Sequence, residues 1–169
     1  MAFPAGIVRA LAITGLDRDV RNGDTGRGMA SSTEIVQSAH EALNRGDIDA
    51  LISLCDPGFR LDMSDRVLNP ATYQGHEGIR RFYSEVSEVW ESFTWEPLEI
   101  KELERGTVAL VHSRGKGRGS GLELDRQAAM VWRIEGDQAL SLTFYRDPAR
   151  ALAAARAGKA GLTQSDRAS

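Results

Sequence analysis

The spacing of apolar residues changes once along the chain, near Trp90. Before that point apolar side chains recur mainly at helical spacing, as in residues 35–43 and 79–90. After it the period falls to two, which is typical of half-buried strands. Helices first and a long meander of strands afterwards predict an α+β fold. In it, a strongly curved antiparallel sheet wraps around three helices, leaves a cavity at its open end, and is followed by a short C-terminal helix.

Local signals predict where the first helices begin and end. Ser31 and Glu34 have the spacing of a capping box, and Gly46 is typical of a helix C-terminus. Asp47 predicts the cap of a second short helix, which the Asp-Pro-Gly run at 56–58 would end. The first two helices are therefore expected to be short and directly connected.

The predicted strands differ in how many of their faces are apolar. Alternation over residues 59–63 predicts a half-buried strand, and the Glu-Gly-Asp run at 135–137 predicts a hairpin turn. Residues 108–113 are apolar on both sides, so we expect that strand to be covered on both faces. A homodimer formed through the outer face of the sheet would supply such a cover.

Composition is that of an ordinary globular protein. The chain has 169 residues, of which 41% are hydrophobic and 27% charged, enough for one domain with a buried core. A net charge of −3 and a pI near 5.7 give no electrostatic case for nucleic acid as a partner. No apolar run is long enough to cross a membrane. The single cysteine, Cys55, lies among leucines and favours an inert thiol in a reducing, cytoplasmic compartment.

The two ends of the chain differ in composition from its centre. Residues 1–30 include a polar, glycine-rich stretch and are expected to form a flexible extension, with Met29 as a candidate natural start. Residues 31–157 are expected to form the domain, and residues 158–169 a frayed tail.

Two stretches resemble a known family. ALNRGDIDAL, on the first two predicted helices, and GHEGIRRFY, on the long helix, resemble the SnoaL-like proteins of the NTF2-like superfamily. The resemblance implies a cone-shaped fold with a deep pocket for an apolar small molecule. It also implies metal-free acid/base chemistry of the cyclase, isomerase, dehydratase or epoxide-hydrolase type, without a cofactor. The alternative is a non-catalytic protein that binds a ligand or forms a dimer.

Ketosteroid isomerases share this fold, and the resemblance places their reacting positions at Ala39, Met63 and Met130. An enolate intermediate needs a base within reach and hydrogen-bond donors aimed at its oxygen. Alanine and methionine supply neither, so steroid-isomerase activity is not expected.

Three other residues are candidates for acid/base chemistry. Tyr83 matches a pocket tyrosine of the isomerases, and the alternative is a core tyrosine whose hydroxyl is satisfied locally. Asp65 follows the first strand and is either a base at the pocket mouth or a solvated loop acid. His112 lies in an apolar strand and is either a proton-transfer group or a structural histidine.

The pocket wall is expected to combine apolar residues with one cation. Arg126 shares a strand face with Met130 and is a candidate ligand for a carboxylate or phosphate, unless a neighbouring acid pairs with it. No metal site is expected, because the three histidines are far apart and form no ligand motif. The residues expected to line the pocket are Met63, Phe82, Val86, Trp90, Arg126, Met130, Trp132, Leu142 and Phe144.

Overall fold

The computed structural model describes residues 31–157, which contain four helices and six strands. Helices and strands are mixed in the first half, and four strands follow one another in the second, as the change of period predicts. The elements are α1 (Ser32–Arg45), α2 (Ile48–Ser53), β1 (Cys55–Asp62), β2 (Thr72–Gln74), α3 (Gly75–Val89), β3 (Trp90–Leu103), β4 (Gly106–Gly117), β5 (Glu123–Glu135), β6 (Gln138–Tyr145) and α4 (Pro148–Ala157).

The six strands of the described domain form one curved, open sheet in the order β2-β1-β6-β5-β4-β3. Strands β3 to β6 pair antiparallel, because each follows its neighbour directly along the chain. Strand β1 instead pairs parallel with β6, with Leu61 opposite Leu142. The sheet is therefore mixed, which corrects the expected antiparallel sheet. Residues 63–137 separate β1 from β6 along the chain, so no hairpin turn forces these two strands to run antiparallel.

The concave face of the sheet packs against α1 and α3 and forms the main core. This arrangement confirms the predicted wrapping of a curved sheet around helices. The buried side chains of this layer include Val36, Ala39, Leu61, Met63, Ile79, Phe82, Ala109, Met130, Trp132, Leu142 and Phe144.

The convex face of the sheet is partly covered by α4. Val108 on β4 and Val131 on β5 pack against Ala151 and Ala155 of this helix. The predicted double cover of residues 108–113 is thus supplied in part by the chain's own C-terminal helix. The homodimer through this face stays a prediction.

The predicted helix caps are confirmed. The Glu34 backbone N–H donates to Ser31 Oγ at 3.2 Å, and the Ser31 N–H donates to Glu34 Oε1 at 3.1 Å, which completes the capping box. Gly46 ends α1 in the left-handed conformation with φ of 76°. The Ala50 N–H donates to Asp47 Oδ1 at 3.1 Å and so begins α2.

Two local predictions differ from the structure. Residues 56–58 do not end a helix but lie within β1, because the chain already pairs with β6 at Cys55, opposite Ala139. No strand is predicted from the sequence at residues 72–74, where the short strand β2 pairs with the end of β1. In both places tertiary strand pairing overrides the turn-forming tendency of the local sequence.

Cys55 lies at the start of β1 and is 1% exposed. Its thiol donates to the Leu51 carbonyl at 3.4 Å. Burial raises the pKa of this thiol to about 12, so almost none of it is thiolate at neutral pH. A buried thiol with so high a pKa agrees with the inert thiol expected from the sequence.

The expectations for residues 1–30 and 158–169 lie outside the described residues. Within residues 31–157, no helix has the length and apolar character needed to span a membrane.

Replacing Gly46 by alanine is expected to destabilise the domain by about 2 kcal/mol or more. Left-handed backbone alone costs about 1 kcal/mol in an alanine. An added Cβ would also lie 2.7 Å from Tyr83 Oη, so the tyrosine must shift. Chemical denaturation measures both effects.

Gly136→Ala is the matched control, because Gly136 also has positive φ but no atom within 4 Å of the added Cβ. It should cost only the backbone part. Tyr83→Phe should recover part of the Gly46→Ala loss, because the ring carbon Cζ lies at an ordinary 3.7 Å. Equal losses for the two glycine variants would contradict the described contact.

Candidate functional site

A cavity of about 300 Å³ opens between the C-terminal end of α3, the loop after β1 and the β4–β5 turn. Helix α3 passes into β3 without an intervening loop, so the apolar face of the helix and the aromatic start of the strand share one wall. The lining residues are Arg66, Val67, Leu68, Asn69, Glu85, Val86, Val89, Trp90, Phe93, Trp95, Ser113, Leu122, Glu123, Leu124, Arg126, Ala128, Phe144 and Arg146.

The wall of the cavity is built from packed aromatic rings. The centroid of the Phe93 ring lies 5.4 Å from that of Trp90 and 4.9 Å from that of Trp95, the latter edge to face. Trp95 in turn lies 6.0 Å from Phe144 across the cavity floor. Such ring pairs are stabilising and hold the surface in a defined shape.

The inner face of β5 shows where the cavity ends. Leu124, Arg126 and Ala128 line it, whereas the next inward residues, Met130 and Trp132, are 0% and 2% exposed and belong to the closed core. The cavity therefore occupies only the wide end of the cone.

Of the nine residues expected in the pocket wall, four line this cavity and five do not. Val86, Trp90, Arg126 and Phe144 line it. Met63, Phe82, Met130, Trp132 and Leu142 are buried in the core beyond its floor. These large side chains pack closely and fill the narrow end of the cone.

Several polar groups face the cavity. Ser113 is 2% exposed, and its Oγ has no hydrogen-bond partner among the described residues. Arg66 lies 5.3 Å from the Phe82 ring centre, and its Nε is buried without a partner within residues 31–157. Glu85 accepts a hydrogen bond of 2.6 Å from the hydroxyl of Tyr73. Burial, and then this bond, raise the pKa of that hydroxyl, so Tyr73 stays protonated.

The mouth of the cavity is apolar on two sides. Val67 and Leu68 on one loop are 61% and 43% exposed, and Leu122 on the β4–β5 turn is 47% exposed. All three line the same cavity. Asn69, beside them, has a φ of 51°, a left-handed conformation that asparagine tolerates better than most residues.

The three candidate catalytic residues lie in three separate places, and none lines the cavity. Asp65 accepts the Arg146 N–H at 2.8 Å and pairs with Arg150 at 3.4 Å, which ties the β1 loop to the start of α4. Tyr83 lies against Gly46 at the end of α1.

His112 lies on the convex face of the sheet, since Val111 and Ser113 on either side of it face inward. Its Nε2 donates to Asp125 Oδ1 at 2.6 Å, and its Nδ1 accepts from Arg114 at 3.3 Å. The hydrogen bond from His112 lowers the pKa of the Asp125 carboxyl. This group is therefore separated from the cavity by the thickness of the sheet.

Comparison with known proteins gives a family. The family model described as the SnoaL-like domain matches residues 36–141, more than half of the chain. The chain belongs to the SnoaL-like family. No curated protein matches it in sequence.

Solved structures similar to this SnoaL-like protein share its fold. An NTF2-like protein of unknown function from Burkholderia pseudomallei K96243 is 23% identical, with a TM-score of 0.61 over 75% of this chain and 98% of that one. A hypothetical protein with a ketosteroid isomerase-like fold from Catenulispora acidiphila DSM 44928, in complex with trimethylamine, is 18% identical. Its TM-score is 0.62 over 74% and 94% of the two chains. A protein described as a SnoaL-like polyketide cyclase, from Shewanella denitrificans OS-217, is 12% identical. Its TM-score is 0.57, over 73% of this chain and 94% of that one.

The narrow end of this SnoaL-like domain contains a buried histidine. His40 on α1 is 0% exposed and lies 5.5 Å, edge to face, from Trp132. Neither ring nitrogen of His40 has a hydrogen-bond partner of good geometry among the described residues, and Trp132 Nε1 has none either. Burial lowers the pKa of His40 to about 4, and the Trp95 backbone only partly opposes this. The ring is therefore neutral at physiological pH.

Sequence reasoning missed Glu85, Arg66 and Ser113. Glu85 lies at helical spacing from Phe82 and Val89, and that spacing would have indicated it. Ser113 and Arg126 alternate with outward residues on adjacent strands, but their juxtaposition depends on the β4–β5 register. Within residues 31–157, no group of three or more His, Cys, Asp and Glu side chains has an arrangement suited to a metal ion.

The buried neutral His40 predicts an acid-dependent loss of stability. The unfolded histidine has a pKa near 6.5 and the folded one about 4, so the unfolded chain binds more protons between these values. The free energy of unfolding should be fully retained above pH 6.5 and fall by about 3 kcal/mol toward pH 4 from this group alone.

His40→Phe is expected to remove this part of the pH dependence while keeping the ring contact with Trp132. Urea unfolding at a series of pH values measures it. Met130→Leu, equally buried but without a titrating group, should keep the wild-type slope. An unchanged slope in His40→Phe would refute the assignment to His40.

Proposed function

We propose that this SnoaL-like protein binds an apolar small molecule in the cavity at the wide end of its cone. The observation that carries the proposal is the cavity itself, about 300 Å³ with an aromatic wall and a few polar groups. That volume is at the small end of the range for ligand sites. A mostly apolar wall with a few polar side chains is typical of such sites.

Two further features support binding of a ligand from solution. The exposed side chains Val67, Leu68 and Leu122 give the mouth an apolar rim that an apolar ligand contacts before it enters. The ring pairs of the wall hold its surface in place before a ligand arrives, which reduces the ordering cost of binding.

A second candidate function is proton transfer on the bound molecule, and Glu85 favours it. Its carboxylate lines the cavity and is oriented by the hydroxyl of Tyr73. A carboxylate held by a neighbouring donor within reach of a ligand is a suitable general base. Since Asp65, Tyr83 and His112 do not line the cavity, we assign this role to Glu85.

Val86→Trp is expected to block the cavity, because the added indole projects from α3 into it. In a thermal-shift screen of neutral aromatic ketones, lactones and epoxides, compounds that stabilise the wild type should lose their effect on this variant. Leu152→Trp, with the same new side chain on α4 at the opposite face of the sheet, should keep the response. A hit that stabilises all three proteins equally would place binding outside the cavity. The proposal would be contradicted if no compound, neutral or acidic, stabilises the wild type in a way that Val86→Trp abolishes.

For the second candidate, Glu85→Gln should lower turnover of a bound substrate by about a hundredfold or more, as expected for loss of a general base. The ligand affinity should change little, because glutamine keeps the shape of the side chain. Tyr73→Phe should lower turnover less, since it removes only the orienting bond. Steady-state kinetics with direct binding measurements separate the two effects, and full activity in Glu85→Gln would exclude this role.

A further inference from the structure

Two polar residues of the cavity wall, Ser113 on β4 and Arg126 on β5, lie on neighbouring strands beside the aromatic residues of β3. Ser113 on β4 pairs directly with Arg126 on β5, and with Trp95 on β3 at its other side. Directly opposed residues on one sheet face have Cβ atoms about 5 Å apart. The hydroxyl of Ser113 and the guanidinium of Arg126 therefore reach the same part of the cavity.

These groups have unused hydrogen-bond donors. Ser113 Oγ is buried with no hydrogen-bond partner among the described residues, and burying a hydroxyl in that state is unfavourable. Arg126 is exposed and has no ion pair or hydrogen bond with another residue of 31–157. Arg66 contributes a third unpaired donor, its buried Nε, at the same cavity.

The acids near the cavity do not neutralise this charge. The Glu85 carboxylate accepts a hydrogen bond of 2.6 Å from the Tyr73 hydroxyl, and its other oxygen lies 3.6 Å from Nε of Arg81. Glu123 also lines the cavity, but it is exposed and three residues from Arg126 along β5, about 10 Å at the rise of a strand. Arg126 thus faces the cavity as an unpaired cation.

Resting on the proposed function, we infer that the ligand is an aromatic or otherwise planar apolar molecule with one acidic oxygen group, such as a carboxylate, enolate or phenolate. Ser113 and Arg126 bind that group, with Arg66 as a further donor. The aromatic wall of Trp90, Phe93 and Trp95 packs on the apolar body. Charge-assisted bonds from arginine suit such a group in geometry and strength.

The test compares aromatic acids with their own amides, which have nearly the same shape but no charge. Benzoate, naphthoate and biphenylcarboxylate are each paired with the matching amide, and calorimetry at neutral pH gives both dissociation constants for each pair. At least one acid should bind the wild type about tenfold more tightly than its amide.

Variants assign this preference to the named groups. Arg126→Gln should weaken binding of the acid about tenfold and of the amide less than twofold. Ser113→Ala should weaken the acid about threefold. Arg133→Gln is the matched control, with the same change of charge on the same strand, but on the convex face. It should leave both affinities within twofold of the wild type.

The outcomes separate this inference from the proposed function. If no acid binds better than its amide, or if Arg126→Gln and Arg133→Gln behave alike, the acidic ligand class is wrong. Binding of neutral ligands that Val86→Trp abolishes would still uphold the cavity as a binding site. If no neutral compound and no acid binds, both the inference and the proposed function fail.

Discussion

The packing around Trp95 joins the parts of the domain that make the cavity. Its indole stacks on Phe82 of α3 at 5.9 Å and lies 6.0 Å from Phe144 of β6. The side-chain amide of Asn44 on α1 donates to the Trp95 carbonyl at 3.0 Å and accepts from its N–H at 2.9 Å. One residue of β3 thus fixes both long helices against the sheet. The floor and one wall of the cavity depend on that position.

The interior of the cone is divided by the kind of side chain at each depth. Toward the wide end, aromatic rings line open space, and Arg126 and Arg146 beside them are exposed to solvent. Toward the narrow end, Met63, Met130 and Trp132 fill the volume that a longer ligand would occupy. Methionine suits this role because it adapts to irregular gaps. His40 lies in this closed half, where burial keeps the ring neutral.

Much of the fold follows from the sequence, because its signals are local. The capping box at Ser31 and the left-handed Gly46 depend only on neighbouring residues, and both are present. The change of period near Trp90 correctly predicts the meander. The parallel pairing of β1 with β6 and the short β2 depend on distant partners, so local patterns do not reveal them.

The candidate site was less predictable for the same reason. Alternation on β5 correctly placed Arg126 on the inner face of the sheet. It does not show how far along the strand the cavity extends, so Met130 and Trp132 were also expected to line it, although they belong to the core. Alternation could not say which face of β4 is concave, and His112 proves to lie on the convex side. The importance of Ser113 follows from its register with Arg126, which only the assembled sheet defines.

The parallel pair of β1 and β6 has a consequence for the order in which the domain forms during synthesis. Leu61 and Leu142 are about 80 residues apart in the chain, and contacts of such separation form slowly. β1 has only the three-residue β2 as its other neighbour until the last strand of the sheet has left the ribosome. The emerging N-terminal half therefore carries an unfinished sheet edge, which is open to pairing with other chains until β6 has been made.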